Sequence, residues 1–139
     1  MDFDFPEDKN YFFKVLMASS KGFIKYKDLF DFRNPLIKRR EFNSIQKKIF
    51  HDLVKKYGLN CQLKLHQDCS KMKKFNVDHV IPLATNELNK KIRKMRSKDG
   101  KKVPAQSFGS NNPKNLILAC SRCNAYKKHR IMIPRGFKI

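Results

Sequence analysis

The chain has 139 residues, a length typical of one compact domain or of a domain with a helical extension. Its 32 Lys and Arg residues against 12 Asp and Glu give a net charge of +20, which favours a polyanionic partner such as nucleic acid. A hydrophobic content of 40% without any apolar run of bilayer length excludes a fully disordered basic tail and a membrane-spanning protein.

The acidic first residues, 1–8, lack the basic start and apolar stretch of a signal peptide. We therefore expect a cytoplasmic, intracellular protein with no membrane partner. In a reducing compartment, four cysteines are expected to bind metal before they form disulfides.

Pro6 followed by two acidic residues predicts the start of a first helix. Gly22 and the pair Asn34-Pro35 mark breaks in the pattern. Apolar residues then recur with the helical period, which predicts a helix over residues 41–57 that stops at Gly58.

Charge and aromatic content divide the chain at the same place. Residues 1–57 hold nine of the twelve phenylalanines and a net charge of +5, whereas residues 58–139 hold all four cysteines and +15. We predict a helical N-terminal region over 1–57, serving DNA contact or dimerisation, and a second module over 58–139. In that module a bound metal would replace part of the hydrophobic core.

The second module is predicted to contain two strands and a helix. Residues 75–82 are predicted to form a short strand that is ended by proline, and residues 115–120 are predicted to form a second strand. Residues 121–129 are predicted to be helical, with Ser121 available to cap the helix start. Between the strands lies a basic insertion at residues 86–109.

Only one of the two pairs of cysteines has the spacing typical of a zinc site. Cys120-x-x-Cys123, placed where a strand meets a helix, can direct two thiolates at one tetrahedral zinc ion. Cys61 and Cys69 are the remaining cysteines, but seven residues separate them. We expect one structural Zn²⁺ held by all four cysteines, with His66 in place of Cys61 as an alternative and buried free cysteines as the simplest one.

The order of these motifs resembles that of the HNH endonucleases, a family of zinc-containing ββα-metal nucleases. The resemblance covers residues 61–130, about half of the chain, and none is evident for residues 1–57. It implies an α+β protein in which a helical region precedes a zinc-stapled ββα-metal (HNH) nuclease module. The matching segments are Asp78-His79-Val80-Ile81-Pro82, Asn115-Leu116 and Cys120-x-x-Cys123-Asn124-x-x-Lys127.

The resemblance also implies roles for single residues. His79 would be the general base, and an imidazole suits this role because its ordinary pKa is near neutrality. Asp78 and Asn124 would hold one catalytic divalent ion, Mg²⁺ or Mn²⁺. Asn115 would tie the connecting loop and help to orient the base. Since Asp78 and His79 would point to opposite faces of a regular strand, we expect the backbone to leave the pleat there.

The helix after the second strand is expected to contact the substrate. The resemblance implies that Lys127 binds the substrate phosphate, with Lys128 and Arg130 as helpers. Asn124 stands where the nuclease colicins have a histidine. We expect that His129 does not replace that histidine, since on a continuous helix it would lie about 140° away from Asn124.

The insertion is predicted to contain an amphipathic helix over residues 87–98, because Leu88, Ile92 and Met95 have helical spacing. Its basic residues are expected to contact the DNA backbone, although a merely solvated face or a nuclear-localisation-like cluster has the same pattern. These residues are Lys90, Lys91, Arg93, Lys94, Arg96 and Lys98.

The resemblance thus implies an endonuclease that hydrolyses DNA with one divalent ion and leaves 5′-phosphate and 3′-hydroxyl ends. Its size suits a small restriction-like or phage or mobile-element enzyme of bacterial or viral origin. The expected partner is double-stranded DNA, and cutting both strands would require a homodimer or two successive nicks. Two alternatives stay open: a zinc-containing nucleic-acid-binding module without catalysis, and a nuclease acting on structured RNA.

Overall fold

The computed structural model describes residues 3–19, 26–134 and 137. It is a mixed α/β structure, which agrees with the predicted class at this coarse level. Its helices are α1 (Pro6–Ser19), α2 (Pro35–Tyr57), α3 (Glu87–Lys91) and α4 (Ser121–Lys127). Its strands are β1 (Phe75–His79), β2 (Ala84–Thr85), β3 (Gln106–Ser107) and β4 (Leu116–Cys120), and three 3₁₀ turns lie at Tyr26–Leu29, Cys69–Lys71 and Pro113–Asn115.

The two five-residue strands β1 and β4 pair antiparallel, from Phe75 opposite Cys120 to His79 opposite Leu116. Helix α2 packs on one face of this pair through Phe42, which contacts Val77 and Leu116. Helix α4 also contacts both strands. Both strands are shorter than predicted, because β1 ends at His79 and the residue before β4 belongs to a 3₁₀ turn.

Helix α2 begins six residues earlier than the apolar period indicated. Pro35 occupies its first turn, and the side chain of Asn34 accepts a hydrogen bond of 2.9 Å from the backbone N–H of Leu36. The predicted break at Asn34-Pro35 is therefore a helix start. The predicted end is confirmed, since Gly58 follows Tyr57 with a φ of 73° that favours glycine. The other predicted break, Gly22, lies outside the described residues.

Helix α1 starts at Pro6 as predicted and packs against the second module. Phe12 is buried and meets the rings of Phe30 and Phe108 at centroid distances of 5.0 Å. The same cluster continues through Val80 and Ile81 to Cys120. The helical region and the cysteine-bearing module therefore share one hydrophobic core.

The insertion does not contain the predicted helix over 87–98. Helix α3 ends at Lys91, Lys94 has a φ of 56°, and the N–H of Met95 donates back to the carbonyl of Asn89 at 3.0 Å. This hydrogen bond closes a turn of seven residues, 89–95, around a left-handed residue and reverses the chain. The reversal is accompanied by an ion pair between Arg93 and Asp8. The guanidinium of Arg93 lies 2.6 Å from the buried carboxylate of Asp8.

The two ends of the insertion are joined at a narrow backbone contact. The N–H of Phe108 donates to Leu83 at 3.1 Å, and the N–H of Gly109 donates to Pro82 at 2.7 Å. A Cβ at position 109 would lie 1.9 Å from the carbonyl oxygen of Ile81, so only glycine permits this approach. The buried ammonium of Lys38 on α2 completes the junction with hydrogen bonds to the carbonyls of Asp31, Leu83 and Gly109 at 2.7–2.8 Å.

Candidate functional site

Four cysteines from distant parts of the chain lie together beside the β1–β4 pair. All their sulfur atoms lie within 4.8 Å of one another, and this set could hold a structural metal such as zinc. Cys120 ends β4, Cys123 lies in α4, Cys69 begins a 3₁₀ turn and Cys61 follows α2. The predicted four-cysteine cluster is therefore present, despite the irregular spacing of its first half.

Backbone N–H groups surround the sulfur atoms. Cys61 accepts from Lys64 at 3.4 Å and from Cys120 at 3.3 Å, while Cys123 accepts from Leu65 at 3.3 Å. The φ of 50° at Lys64 turns its N–H toward Cys61. Burial opposes ionisation of Cys61, but these donors outweigh it and lower the pKa of the thiol. The loop is thus shaped to stabilise the thiolate that a metal requires.

His66 lies next to the cluster in a defined tautomer. Its Nδ1 accepts the backbone N–H of Asp68 at 3.1 Å, so the proton of the neutral ring is on Nε2. That Nε2 lies 3.3 Å from the sulfur of Cys120 and can donate to it. Since Cys61 already completes a set of four sulfurs, the geometry assigns His66 the role of a donor to one ligand.

A cleft opens at the end of β1, between the first turns of α2 and the end of α4. It is lined by Asp78, His79 and Asn124, so the three groups predicted to meet do face one cavity. The wall contributed by α2 includes Arg39 and the exposed side chain of Leu36. The complete lining comprises Pro35, Leu36, Arg39, Val77, Asp78, His79, Pro82, Leu83, Ala84, Asn124, Lys127, Lys128 and His129.

Asp78 and His79 reach this cleft from opposite faces of the strand. Antiparallel pairing continues through both residues, so the expected departure from the pleat is wrong. Asp78 contacts Lys127 of α4, whereas the His79 ring packs 4.6 Å from that of Phe42 of α2. Both serve one cleft because the cavity lies at the end of the strand, where its two faces meet.

Asp78 is a buried carboxylate with one oxygen left without a hydrogen bond. Its Oδ2 lies 3.1 Å from the Lys127 ammonium, but none of the described residues donates to it in hydrogen-bonding geometry. Burial raises the pKa of Asp78, and the charge of Lys127 opposes this rise. A buried carboxylate oxygen without a donor, in a residue that lines a cleft, is one that a cation could satisfy.

Lys127 is placed differently from the prediction. It was expected to bind a substrate phosphate, but its side chain is only 1% exposed. Its ammonium donates to the carbonyl of His79 at 2.7 Å and forms an ion pair with Asp78. Because α4 packs directly on β1, the lysine acts as an internal cation that positions Asp78.

His79 is held in one orientation by Asn111. The Asn111 amide nitrogen donates to the carbonyl of Lys38 at 2.8 Å, which turns the amide oxygen toward His79 Nε2, also at 2.8 Å. Nε2 therefore carries the proton, and Nδ1 of the neutral ring keeps its lone pair. Burial lowers the pKa of His79 to about 4. The imidazole is thus neutral at physiological pH and able to accept a proton.

Asn115 ties the connecting loop across its width. Its side-chain oxygen accepts from the N–H of Ile81 at 2.8 Å, and its nitrogen donates to the carbonyls of Ile81 and Ser110 at 3.0 and 2.8 Å. The residue is completely buried. These bonds fix the chain leaving His79 against the chain returning from the insertion.

The end of α4 forms the remaining wall. The side chain of Asn124 is half-buried and has no hydrogen-bond partner within the described part of the chain. The helix ends at Lys127, and Lys128 has a φ of 51°. His129 was expected not to replace the family histidine because a continuous helix would carry it away from Asn124; the helix ends before it, and His129 lines the same cleft.

The other residues predicted to contact nucleic acid fall into two groups, those that pair with an acidic residue and those that are exposed to solvent. Lys91 is paired with Glu87 at 2.5 Å, and Arg93 is largely buried against Asp8. Arg130 is exposed and stacks 4.4 Å from the ring of Tyr126. Lys90, Lys94, Arg96, Lys98 and Lys128 are also exposed, but the residues of the insertion do not share one helix.

Two residues of the site were not identified from sequence: Asn111, which holds His79, and Arg39, which lines the cleft. Asn111 belongs to a Ser-Asn-Asn-Pro segment whose composition indicates only a loop. Arg39 lies one turn inside α2, and its place follows only from the helix start at Pro35. Interpreting the Asn34-Pro35 pair as a helix start would therefore have placed Arg39 near the beginning of α2.

Comparison of the chain with protein-family models, curated proteins and solved structures finds no match. Among the described helices, none is both long and apolar enough to cross a membrane.

Proposed function

We propose that this chain is a metal-dependent endonuclease of the HNH type that hydrolyses phosphodiester bonds in double-stranded DNA. The observation that carries the proposal is the convergence of Asp78, His79 and Asn124 on one cleft at the end of a ββα unit. The same unit bears the four-cysteine cluster, which we infer to bind a structural Zn²⁺. The net charge of +20 supports a nucleic-acid substrate.

The donor set fits a hard divalent cation. Asp78 offers a carboxylate oxygen that lacks a hydrogen bond, and Asn124 offers a side-chain amide without a partner among the described residues. Oxygen ligands of this kind suit Mg²⁺ or Mn²⁺, which keep part of their water shell. Such an ion, when bound, would neutralise the scissile phosphate and the 3′-oxygen leaving group.

His79 has the protonation state that a general base needs. Its proton lies on Nε2 against Asn111, so Nδ1 can remove a proton from an attacking water. Its pKa of about 4 keeps the ring neutral, which is the form that accepts a proton, but it also makes the ring a weaker base than an imidazole of ordinary pKa. Asn111 acts as a positioning residue, since it fixes both the tautomer and the ring orientation.

The remaining residues hold the substrate or the catalytic groups. Lys127 aligns the Asp78 carboxylate and opposes the rise in its pKa that burial causes, and Asn115 keeps the loop after His79 in place. Arg39 and Lys128, both exposed at the cleft, would contact phosphates beside the scissile bond. Hydrolysis by this route would leave 5′-phosphate and 3′-hydroxyl ends. We favour restriction-like double-strand cleavage, for which a homodimer would supply two active sites.

The test uses supercoiled plasmid with Mg²⁺ or Mn²⁺. Wild-type protein should nick or linearise it, EDTA should stop the reaction, and His79→Ala and Asn124→Ala should reduce turnover strongly. Asn10→Ala serves as a matched control for Asn124→Ala, because Asn10 is an exposed asparagine of α1 that does not line the cleft. Plasmid that stays supercoiled with every divalent ion, at protein concentrations that shift it in a gel, would overturn the proposal in favour of binding alone. Faster cleavage of structured RNA than of duplex DNA would overturn the substrate assignment.

A further inference from the structure

The outward face of α2 carries a row of cations. Arg40, Lys47, Lys48 and Lys55 are all exposed and fall within an arc of about 100° on a regular helix. The opposite face is buried through Lys38 and Phe42. Both acidic residues of this helix, Glu41 and Asp52, lie outside the arc. The arc, which also holds Ile37, Ser44 and His51, therefore contains four cations and no acidic residue.

These cations are not neutralised by neighbouring side chains. None of the four forms an ion pair in the described part of the chain. Glu41 is 2.5 Å from the guanidinium of Arg33, and Asp52 forms no ion pair in the described part of the chain. In the insertion, Lys91 and Arg93 are paired with acids, whereas Lys90, Lys94, Arg96 and Lys98 are exposed. The two surfaces thus differ in the arrangement of their charge, since only the cations of α2 share one face of a single helix.

The position of α2 relative to the cleft is fixed. Its first turn forms the cleft wall, and Lys38 secures that turn through hydrogen bonds to the carbonyls of Leu83 and Gly109, at the two ends of the insertion, and to the carbonyl of Asp31, which precedes the helix. Arg40 and Lys55 are separated by about 22 Å along the axis, which corresponds to six or seven base pairs of duplex. Leu36 and Ile37, 67% and 47% exposed, project at the end nearest the cleft.

We propose that α2 is the docking surface for the backbone of duplex DNA and that it leads one strand into the cleft. This inference rests on the proposed function for the identity of the strand in the cleft. The row of cations faces successive phosphates while Arg39, at the cleft itself, faces those next to the scissile bond. Such contacts determine position and salt dependence and carry no base specificity.

The experiment compares two triple variants that remove equal charge. Arg40→Gln/Lys47→Gln/Lys55→Gln alters α2, and Lys90→Gln/Lys94→Gln/Lys98→Gln alters exposed lysines of the insertion. Binding to a duplex of two helical turns is measured by fluorescence anisotropy in EDTA at increasing salt. The slope of log K against log salt should fall by about 2.7 for the α2 variant, at about 0.9 for each lost phosphate contact. The insertion variant should keep nearly the wild-type slope.

The readouts separate this inference from the proposed function. Both variants should retain the wild-type thermal melting curve, because every altered residue is exposed. Equal slopes for the two variants, or a larger loss for the insertion variant, would overturn the docking surface even if the protein cleaves DNA. If the α2 variant loses affinity for duplex RNA but keeps the wild-type affinity for duplex DNA, DNA is overturned as the partner of this surface. Binding through α2 without any cleavage would support the docking surface and overturn the nuclease proposal.

Discussion

The imidazole Nε2 of His79 lies 2.8 Å from the side-chain oxygen of Asn111, whose nitrogen is held by the carbonyl of Lys38. This chain of contacts runs from β1 through the returning loop to α2. It means that the N-terminal helical region determines how the proposed general base is presented. The region therefore contributes to the site itself in addition to the shared core.

Replacing Asn111 with alanine should lower turnover while leaving DNA binding intact. The ring of His79 would lose the partner that selects its tautomer, but the imidazole would remain. The loss should be smaller than that of His79→Ala, for which about 10²–10⁴-fold is expected of a general base. Single-turnover cleavage gives the rate and anisotropy in EDTA gives the affinity. Equal rates for Asn111→Ala and wild type would contradict the positioning role.

The low pKa of His79 should make the fold sensitive to mild acid. Burial lowers this pKa to about 4, whereas an unfolded histidine has about 6.5. Between pH 6.5 and pH 4 this histidine is therefore protonated in the unfolded chain but not in the folded chain. As a result, the free energy of unfolding decreases as the pH falls from 6.5 toward 4. The loss at pH 4.5 should be about 2–3 kcal/mol larger for wild type than for His79→Gln.

Urea unfolding of both proteins at pH 7 and pH 4.5 measures this difference. Acid loss of metal from the cysteine cluster affects the two proteins alike and cancels in the comparison. A His79→Gln variant that loses as much stability as wild type would show that this imidazole titrates normally.

The cysteine cluster should hold about one zinc per chain that survives dialysis. Cys120→Ser should prevent folding of the module, since that sulfur lies within 4.8 Å of the other three. His66→Ala should instead fold with its zinc, at an affinity about 10- to 100-fold weaker, because it removes only a donor to Cys120. Elemental analysis and competition with a chelator distinguish the two outcomes. Folded wild-type protein without zinc would refute the site, and complete zinc loss in His66→Ala would make His66 a ligand.

Lys38→Met should destabilise the protein by about 3 kcal/mol or more, since it leaves three carbonyls without their charged donor. Lys48→Met on the exposed face of the same helix is the matched control and should change stability by less than about 0.5 kcal/mol. Chemical denaturation at neutral pH gives both values. Similar stabilities for the two variants would mean that water replaces the ammonium at the junction.

The elements that sequence identified well are those with strong local signals. Pro6, Gly58 and the Cys120-x-x-Cys123 turn each restrict the backbone within a few residues, and the structure agrees with them. The cluster of cysteines could also be predicted, because thiols in a basic, poorly apolar module have few other uses. Local chemistry was sufficient in these cases.

The errors arose where a distant partner decides the outcome. Arg93 leaves the helical path because Asp8 lies across the interface, and Lys127 is buried because Asp78 faces it. Neither acid is near its partner in sequence. The position of His129 could not be predicted for a related reason. The chain turns at Lys128, which has a positive φ although it is not glycine. Single-sequence patterns do not contain such pairings.

The backbone junction at Gly109 also bears on how this protein could change over time. Residues 84–107 leave and return through one point, where Phe108 and Gly109 bond to Leu83 and Pro82. Residues near both ends of this segment also contact the rest of the protein, since Glu87 accepts from the N–H of Ile131 and Ser107 donates to the carbonyls of Asp31 and Arg33. The exposed stretch from residue 94 to 102 can therefore vary in length or sequence without altering the contacts of His79 and Asn115.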